Sequence, residues 1–324
     1  MDFDALFSGF NSKKVLVVGD AMIDAYMWGE INRMSPEAPV PVVEVKKHEN
    51  RLGGAANVAL NLQSMGATPI LCSVIGNDSQ SILFKELIQN ANLSNKGLLT
   101  SKERRTTLKT RVIAENKHQL RIDEEDTHPI TCETEFLNLI QELIADVDVV
   151  ILQDYNKGVL TAKVIAKVIE IANTKNIPTI VDPKKQNFLA YKNCTIFKPN
   201  LAEIKAGMNI DFNPDITQEI EKAAADLREL LNAKGVLLTL SGRGICINTK
   251  ENFTHTPAFK RNIIDVSGAG DTVIAVAALC LASNMDFINL SLLSSLAGGM
   301  VCEEVGVVPI QKEKLLIEAK KSIV

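Results

Sequence analysis

The residues best placed to do chemistry lie late in the chain, in Asp265-Val266-Ser267-Gly268-Ala269-Gly270-Asp271, with the apolar stretch Val273–Ala282 following at once. This order predicts a tight glycine turn opening onto a helix N-terminus. Gly268 and Gly270 permit φ > 0 and close backbone approach. The unpaired N–H groups of such a turn, with the helix dipole behind them, suit an anion. Asp271 places a carboxylate in that anion site, as either a helix cap or a base beside a phosphate. Asn200 and Glu203 stand three residues apart at a second expected helix start. They form either a capping box or a pair that holds Mg²⁺ through water.

These residues need a scaffold. Short apolar runs at Val15–Val18, Ile70–Ile75, Val147–Leu152, Thr179–Val181 and Val236–Leu240 read as strands. Ala55–Met65, Gln80–Asn90 and Ala162–Thr174 read as helices. The alternation predicts parallel βαβ units, hence an α/β fold with a doubly wound, mainly parallel sheet flanked by helices. Ligands in such sheets bind beyond the carboxyl ends of the strands. Asp20, Asp154, Asp182 and Ser241 each follow a predicted strand and are expected to meet in one crevice.

Two segments break the pattern. Ala38–Val45 is extended and proline-rich, and Thr106–Ile113 with Gln119–Ile122 reads as two strands about a turn at Glu115-Asn116-Lys117. By themselves they could be a surface hairpin. In a strand, Lys109 and Arg111 share a face, with Arg105 beside them. That face is either solvated or a phosphate clamp, since Arg forks match phosphate oxygens.

The 35 Lys and Arg against 39 Asp and Glu leave a charge of −4, which argues against a nucleic-acid binder. The longest apolar run near the glycine turn is too short to span a bilayer. Met1–Asn11 lacks the basic n-region of a secretory signal. Six cysteines (Cys72, Cys132, Cys194, Cys246, Cys280, Cys302) form no C-x-x-C pair, as buried reduced thiols of a cytoplasmic protein would. The histidines show no H-x-x-x-H, so no zinc site is expected. No repeat or linker divides the chain, and one domain over residues 1–324 is expected.

Three stretches together carry a resemblance. Asp265-x-x-Gly-Ala-Gly-Asp271, Gly53-Gly54-Ala55-Ala56-Asn57-Val58-Ala59 and Lys198-Pro199-Asn200-Leu201-Ala202-Glu203 resemble, in the family's order, signatures of the ribokinase-like (PfkB) carbohydrate kinases. The resemblance implies Asp271 as catalytic base and the amides of Gly268, Ala269 and Gly270 as the anion hole. It implies Asn200 and Glu203 at Mg²⁺. Thr239, Ser241, Gly242 and Gly244, with Gly268 and Gly270, would face ATP, and Asp265 would lie beside a monovalent cation such as K⁺. On the sugar side, Asp20, Asp24 and Asp154 would accept hydroxyl hydrogen bonds. Asp20 is nearer the strand end, and a helix-start or turn role stays open for Asp24. Gly53 and Gly54 would allow close backbone contact, and Asn57 offers both donor and acceptor. The β-prone segments near 38–47 and 104–123 would form a small lid that doubles as a homodimer interface.

The finer pattern resembles the heptose 7-phosphate kinase branch. It is carried by Arg33–Val43, Thr107-x-Lys-Thr-Arg111, Gln119-Leu-Arg121 with the acidic run Asp123–Asp126, Asp154-Tyr-x-Lys-Gly158, and Asp265–Ala275. Val266 replaces the family's usual Thr, which disfavours a ribokinase or fructokinase and suits this branch. The implied reaction moves the ATP γ-phosphoryl group to O1 of D-glycero-β-D-manno-heptose 7-phosphate, in ADP-heptose and lipopolysaccharide core synthesis. Lys109, Arg111, Arg121, Lys157 and Lys185, with Lys184 alongside, would hold the 7-phosphate. Many members are fused to an adenylyltransferase domain; this sequence ends at Val324, so kinase activity alone is expected. The rivals are a PfkB-type kinase of another sugar or nucleoside and a non-catalytic sugar-binding protein. A dinucleotide fold fails because Val273 stands where the third glycine belongs. No G-x-x-x-x-G-K-[ST] marks a P-loop.

Overall fold

The computed structural model describes residues 1–115 and 117–323. The chain starts with α1 (Phe3–Gly9) and β1 (Lys14–Gly19), then leaves the central sheet as two long strands, β2 (Ala21–Met34) and β3 (Pro41–Gly54). It returns through α2 (Ala55–Ser64), β4 (Thr68–Gly76), α3 (Ser79–Asn90) and β5 (Ser94–Ser101), and departs again as β6 (Leu108–Ala114) and β7 (Lys117–Glu124). There follow α4 (Glu133–Leu143), β8 (Val149–Gln153), α5 (Ala162–Thr174), β9 (Thr179–Asp182), β10 (Ile196–Phe197), α6 (Leu201–Met208) and α7 (Thr217–Leu231). The last elements are β11 (Gly235–Thr239), β12 (Ile245–Thr249), β13 (Phe253–Thr256), α8 (Ala269–Ala282), α9 (Phe287–Val301) and α10 (Lys312–Ser322).

Among the described residues, the larger sheet runs β13-β12-β11-β10-β9-β8-β1-β4-β5, parallel except for β12 and β13 at one edge. Its strands are apolar on both faces, as helix cover on both sides requires. Val15, Val17, Val149 and Ile151 pack with residues of α2, α8 and α9. Leu16, Val18, Val150 and Leu152 pack with α4, α5 and α7. Helix α8 is buried along its whole length from Asp271 to Ala282. A helix apolar all round is a core helix, and this one draws Asp271 into the interior with it. No helix of the described residues is long and apolar enough to cross a membrane.

A second sheet, β3-β2-β6-β7, stands off the body. It is larger than segments 38–47 and 104–123 suggested, because β2 joins it after a single residue, Asp20, beyond β1. Asp24 therefore lies within a strand, not at a helix start or turn. Arg105 precedes β6 and turns to Asp126, at 3.2 Å, so it leaves the face of Lys109 and Arg111. Asn116 of the expected turn lies outside the described residues. The register sets Asp24 opposite Arg51 and Lys109, Tyr26 opposite Glu49 and Arg111, and Arg111 opposite Arg121. Paired and alternate residues share a face, so one face of this sheet collects the charged and aromatic side chains. Leu120 and Ile122 lie on the other face and are exposed.

Candidate active site

Gly268 caps α8 at φ +81°, a conformation that favours glycine, and Asp271 falls in the first helical turn. The Asp271 carboxylate accepts three hydrogen bonds. Asn57 Nδ2 donates to Oδ2 at 2.7 Å; Tyr155 OH and Gln153 Nε2 donate to Oδ1 at 2.8 and 3.1 Å. Burial pushes its pKa up to about 6, against the hydrogen bonds from Asn57 and Tyr155. A carboxyl poised there is ionised at neutral pH yet basic enough to take a hydroxyl proton. Beside it, Lys198 and Asp182 form a buried ion pair at 2.9 Å. A Cβ on Gly270 would lie 3.9 Å from Lys198 Nζ, so the glycine turn faces that ammonium group.

The loop after β8 is fixed by Asp20. Its Oδ2 accepts the amides of Tyr155 and Lys157, at 2.8 and 3.0 Å, and its Oδ1 that of Val159, at 3.1 Å. Burial raises the proton affinity of Asp20, and the three amides and Arg104 oppose the rise. Asp154 accepts from the Asn156 amide and from Tyr191 OH, both at 2.7 Å, and burial with the nearby Asp20 charge raises its pKa to about 6.

At the other wall, Asn200 and Glu203 exchange backbone and side-chain hydrogen bonds in a capping box at the start of α6, at 2.8 and 2.9 Å. The second Glu203 oxygen takes Lys184, whose ammonium lies 5.5 Å from the Tyr155 ring centroid. Thr239 bridges to Asn200, Ser241–Arg243 form a short turn, and Gly242 has open space around it. Gly244 packs against the backbone at Thr256. Asp265 accepts the amides of Ser267 and Gly306, each at 2.9 Å.

On the lid face, Arg111 pairs with Asp24 at 2.5 Å. Glu125 bridges Lys109 and Lys157, at 2.8 and 2.7 Å, and Asp123 binds Lys109 and Arg121.

The pattern of the pfkB family carbohydrate kinases matches residues 12–314. The chain belongs to the pfkB family. It is an alcohol-accepting phosphotransferase, and the family implies ATP as donor. This pfkB kinase is 38% identical over 296 residues to the bifunctional protein HldE of Helicobacter pylori (strain HPAG1), with 91% of this chain and 64% of that protein covered. It is 39% identical over 309 residues to the bifunctional protein HldE of Desulfatibacillum aliphaticivorans, with 94% and 63% covered. The chain thus spans less than two thirds of those relatives' length. Phosphofructokinase-2 from Escherichia coli in complex with potassium is similar in structure at TM-score 0.79 and 18% identity, over 95% of this chain and 99% of that one. Arabidopsis thaliana ribokinase complexed with ribose and ATP is similar at TM-score 0.74 and 17% identity, over 94% and 99%. These likenesses establish the ribokinase-like fold.

Several expected roles change with the geometry of this pfkB chain. Both Asp20 oxygens accept amides of the 155–159 loop, so Asp20 organises that loop. Gly53 makes room for Asp24: a Cβ there would collide with the Asp24 carboxylate. Gly54, at φ +58°, turns the chain into α2. Asn57 is aimed at Asp271. The Ala269 amide donates to Val266 O at 3.3 Å and is the least free of the three turn amides. Lys185 is exposed, and Lys184 is the lysine that reaches the crevice. Arg121 keeps 61% of its side-chain area exposed, at the rim. Sequence spacing gave no role to Tyr155, Gln153 or Lys198. The first two stand in the Gln153–Gly158 string and the third opens the Lys198–Glu203 motif, but their aim depends on tertiary contacts.

Proposed function

We propose that this pfkB kinase transfers the ATP γ-phosphoryl group to O1 of D-glycero-β-D-manno-heptose 7-phosphate, giving the 1,7-bisphosphate for ADP-heptose and lipopolysaccharide core synthesis. The observation that carries this reading is the pairing of two sites. One is a helix-start carboxylate with pKa raised to about 6; the other is a lid face where Lys109, Arg111 and Lys157 gather. A sugar bearing its own phosphate needs both. The motif resemblance to heptose 7-phosphate kinases and the identity to the HldE proteins support the same branch.

In this scheme Asp271 accepts the O1 proton as the oxygen attacks the γ-phosphorus. The amides of Gly268 and Gly270, and more weakly Ala269, with Lys198 beside them, stabilise the charge on the phosphoryl oxygens. Asp20, Asp24 and Asp154 orient sugar hydroxyls, and Gly242 gives the nucleotide close access to the turn. No group of three or more His, Cys, Asp or Glu able to hold a metal occurs among the described residues. Mg²⁺ keeps much of its hydration and needs few protein ligands; Asn200 and Glu203 would hold it through water, and it would neutralise phosphate charge. Asp265 has no Lys or Arg in ion-pair range among the described residues, a donor that fits K⁺. Two chains associate through the outer face of the lid, where Leu120 and Ile122 are exposed, in the cytoplasm where ATP is available.

The test is a coupled assay of ATP consumption across phosphorylated and free sugars. Heptose 7-phosphate is expected to lead by a wide margin; a preference for ribose, fructose or free heptose would overturn the substrate.

A further inference from the structure

The lid and the glycine turn are joined by a chain of contacts through the loop between α9 and α10. Arg51, near the end of β3, is fixed by Glu49, Nε to Oε1 at 2.6 Å, and stands over the Tyr26 ring at 5.0 Å. Its Nη1 donates to the carbonyl of Val307 at 2.9 Å. Gly306 makes that approach possible, since a Cβ there would lie 2.7 Å from Nη1. The same loop is gripped from the opposite side by Asp265, which holds the Gly306 amide with one oxygen and the Ser267 amide with the other. Val307 is buried and packs on the turn: a Cβ on Gly268 would lie 3.3 Å from its Cγ1.

We propose that Arg51 is a positioning residue that couples seating of the lid to the geometry of the Gly268–Gly270 turn. With the lid in place, Arg51 draws Val307 onto Gly268 and fixes the amides that receive the phosphoryl charge. When the lid lifts, Arg51 withdraws, Gly306 keeps only its bond to Asp265, and the turn loosens. Phosphoryl transfer thereby waits on a lid closed over sugar, which suppresses ATP hydrolysis by water. Arginine suits the task because its planar fork meets Glu49 and Val307 O together while stacking on Tyr26; lysine has one point charge for all three. The inference rests on the assignment of the lid to the sugar and of the turn to the phosphoryl group.

The test compares the parent with Arg51→Ala, Arg51→Lys, Gly306→Ala and the Arg51→Ala/Gly306→Ala double variant. Small misplacements of catalytic groups cost up to about 100-fold, so kcat with heptose 7-phosphate should fall about 10- to 100-fold in each single variant. KM for the sugar and the Kd of ATP should stay within about twofold of the parent, because ground-state binding is untouched. Lysine should not rescue. The double variant should be no worse than the poorer single, as expected of residues acting through one contact. A readout independent of the sugar is amide hydrogen exchange in 265–270 and 303–307, which should be faster in Arg51→Lys and Gly306→Ala than in the parent. If the parent does not use heptose 7-phosphate, the substrate reading fails and exchange alone decides the coupling. A raised sugar KM at unchanged kcat, additive losses, or unaltered exchange at 265–270 would each overturn it. Should Arg51→Ala fail to fold, Arg51→Lys and Gly306→Ala decide between the same two outcomes.

Discussion

The crevice and the lid both gather carboxylates, but they neutralise them in opposite ways. In the crevice, Asp271, Asp20 and Asp154 are buried and satisfied mostly by neutral donors: amides, tyrosine hydroxyls, Asn57 and Gln153. On the lid face, Asp24, Asp123 and Glu125 are satisfied by Arg and Lys; Asp123 and Glu125 keep partial contact with solvent, while Asp24 is buried. Neutral donors in a dry site leave proton affinity high, which suits a base. Ion pairs at a half-wet surface leave cations that a stronger anion can claim. The two regions therefore carry separate duties, proton transfer in one and anion recognition in the other, and variants should separate them kinetically.

The largest effect should come from the crevice. Asp271→Asn removes the base, and kcat should fall about 10²–10⁴-fold while ATP still binds, because general-base contributions lie in that range; calorimetric titration of ATP beside steady-state rates checks both halves. Near-normal turnover would merge the two regions again. Next comes the lid: Lys109→Ala or Lys157→Ala should raise KM for the phosphorylated sugar about tenfold, since a charge-assisted contact contributes roughly 1.5–3 kcal/mol, with KM for ATP unchanged.

A smaller effect sharpens the crevice side. With Asp271 at about 6, kcat should be lost as pH falls through that value, because only the ionised form is a base. Tyr155→Phe removes a donor to the ionised form, so the acid limb should move to higher pH; a shift downward would contradict the wiring seen here. Smallest in kinetic terms, Leu120→Asp on the outer lid face should shift a dimer toward monomer in sedimentation while barely changing kcat. A monomeric parent would remove the interface.

The body of the fold was legible because parallel strands buried on both faces read as apolar runs; α5 falls on Ala162–Thr174 as its pattern predicts. The lid was only half legible. β6 and β7 show alternation, but β2 follows β1 after one residue and carries Asp24 and the Arg111-facing Tyr26, so its start reads as a loop. The glycine turn was legible because it is built from adjacent residues. The wiring of Asp20 was not, since its three donors lie more than 130 residues away in sequence. Nor could spacing decide between Lys184 and Lys185, because the short turn at Lys185–Asn187 determines which one meets Glu203.

The division of labour is tested most directly by kcat/KM for heptose 7-phosphate and for its dephosphorylated form, measured in the parent and in Arg111→Ala. The parent should favour the phosphorylated sugar by about tenfold or more, in line with loss of a charge-assisted contact. Arg111→Ala should erase most of that preference while leaving the ATP parameters in place. Equal use of the two sugars by the parent, or a preference that survives intact in Arg111→Ala, would contradict the assignment of anion recognition to the lid face.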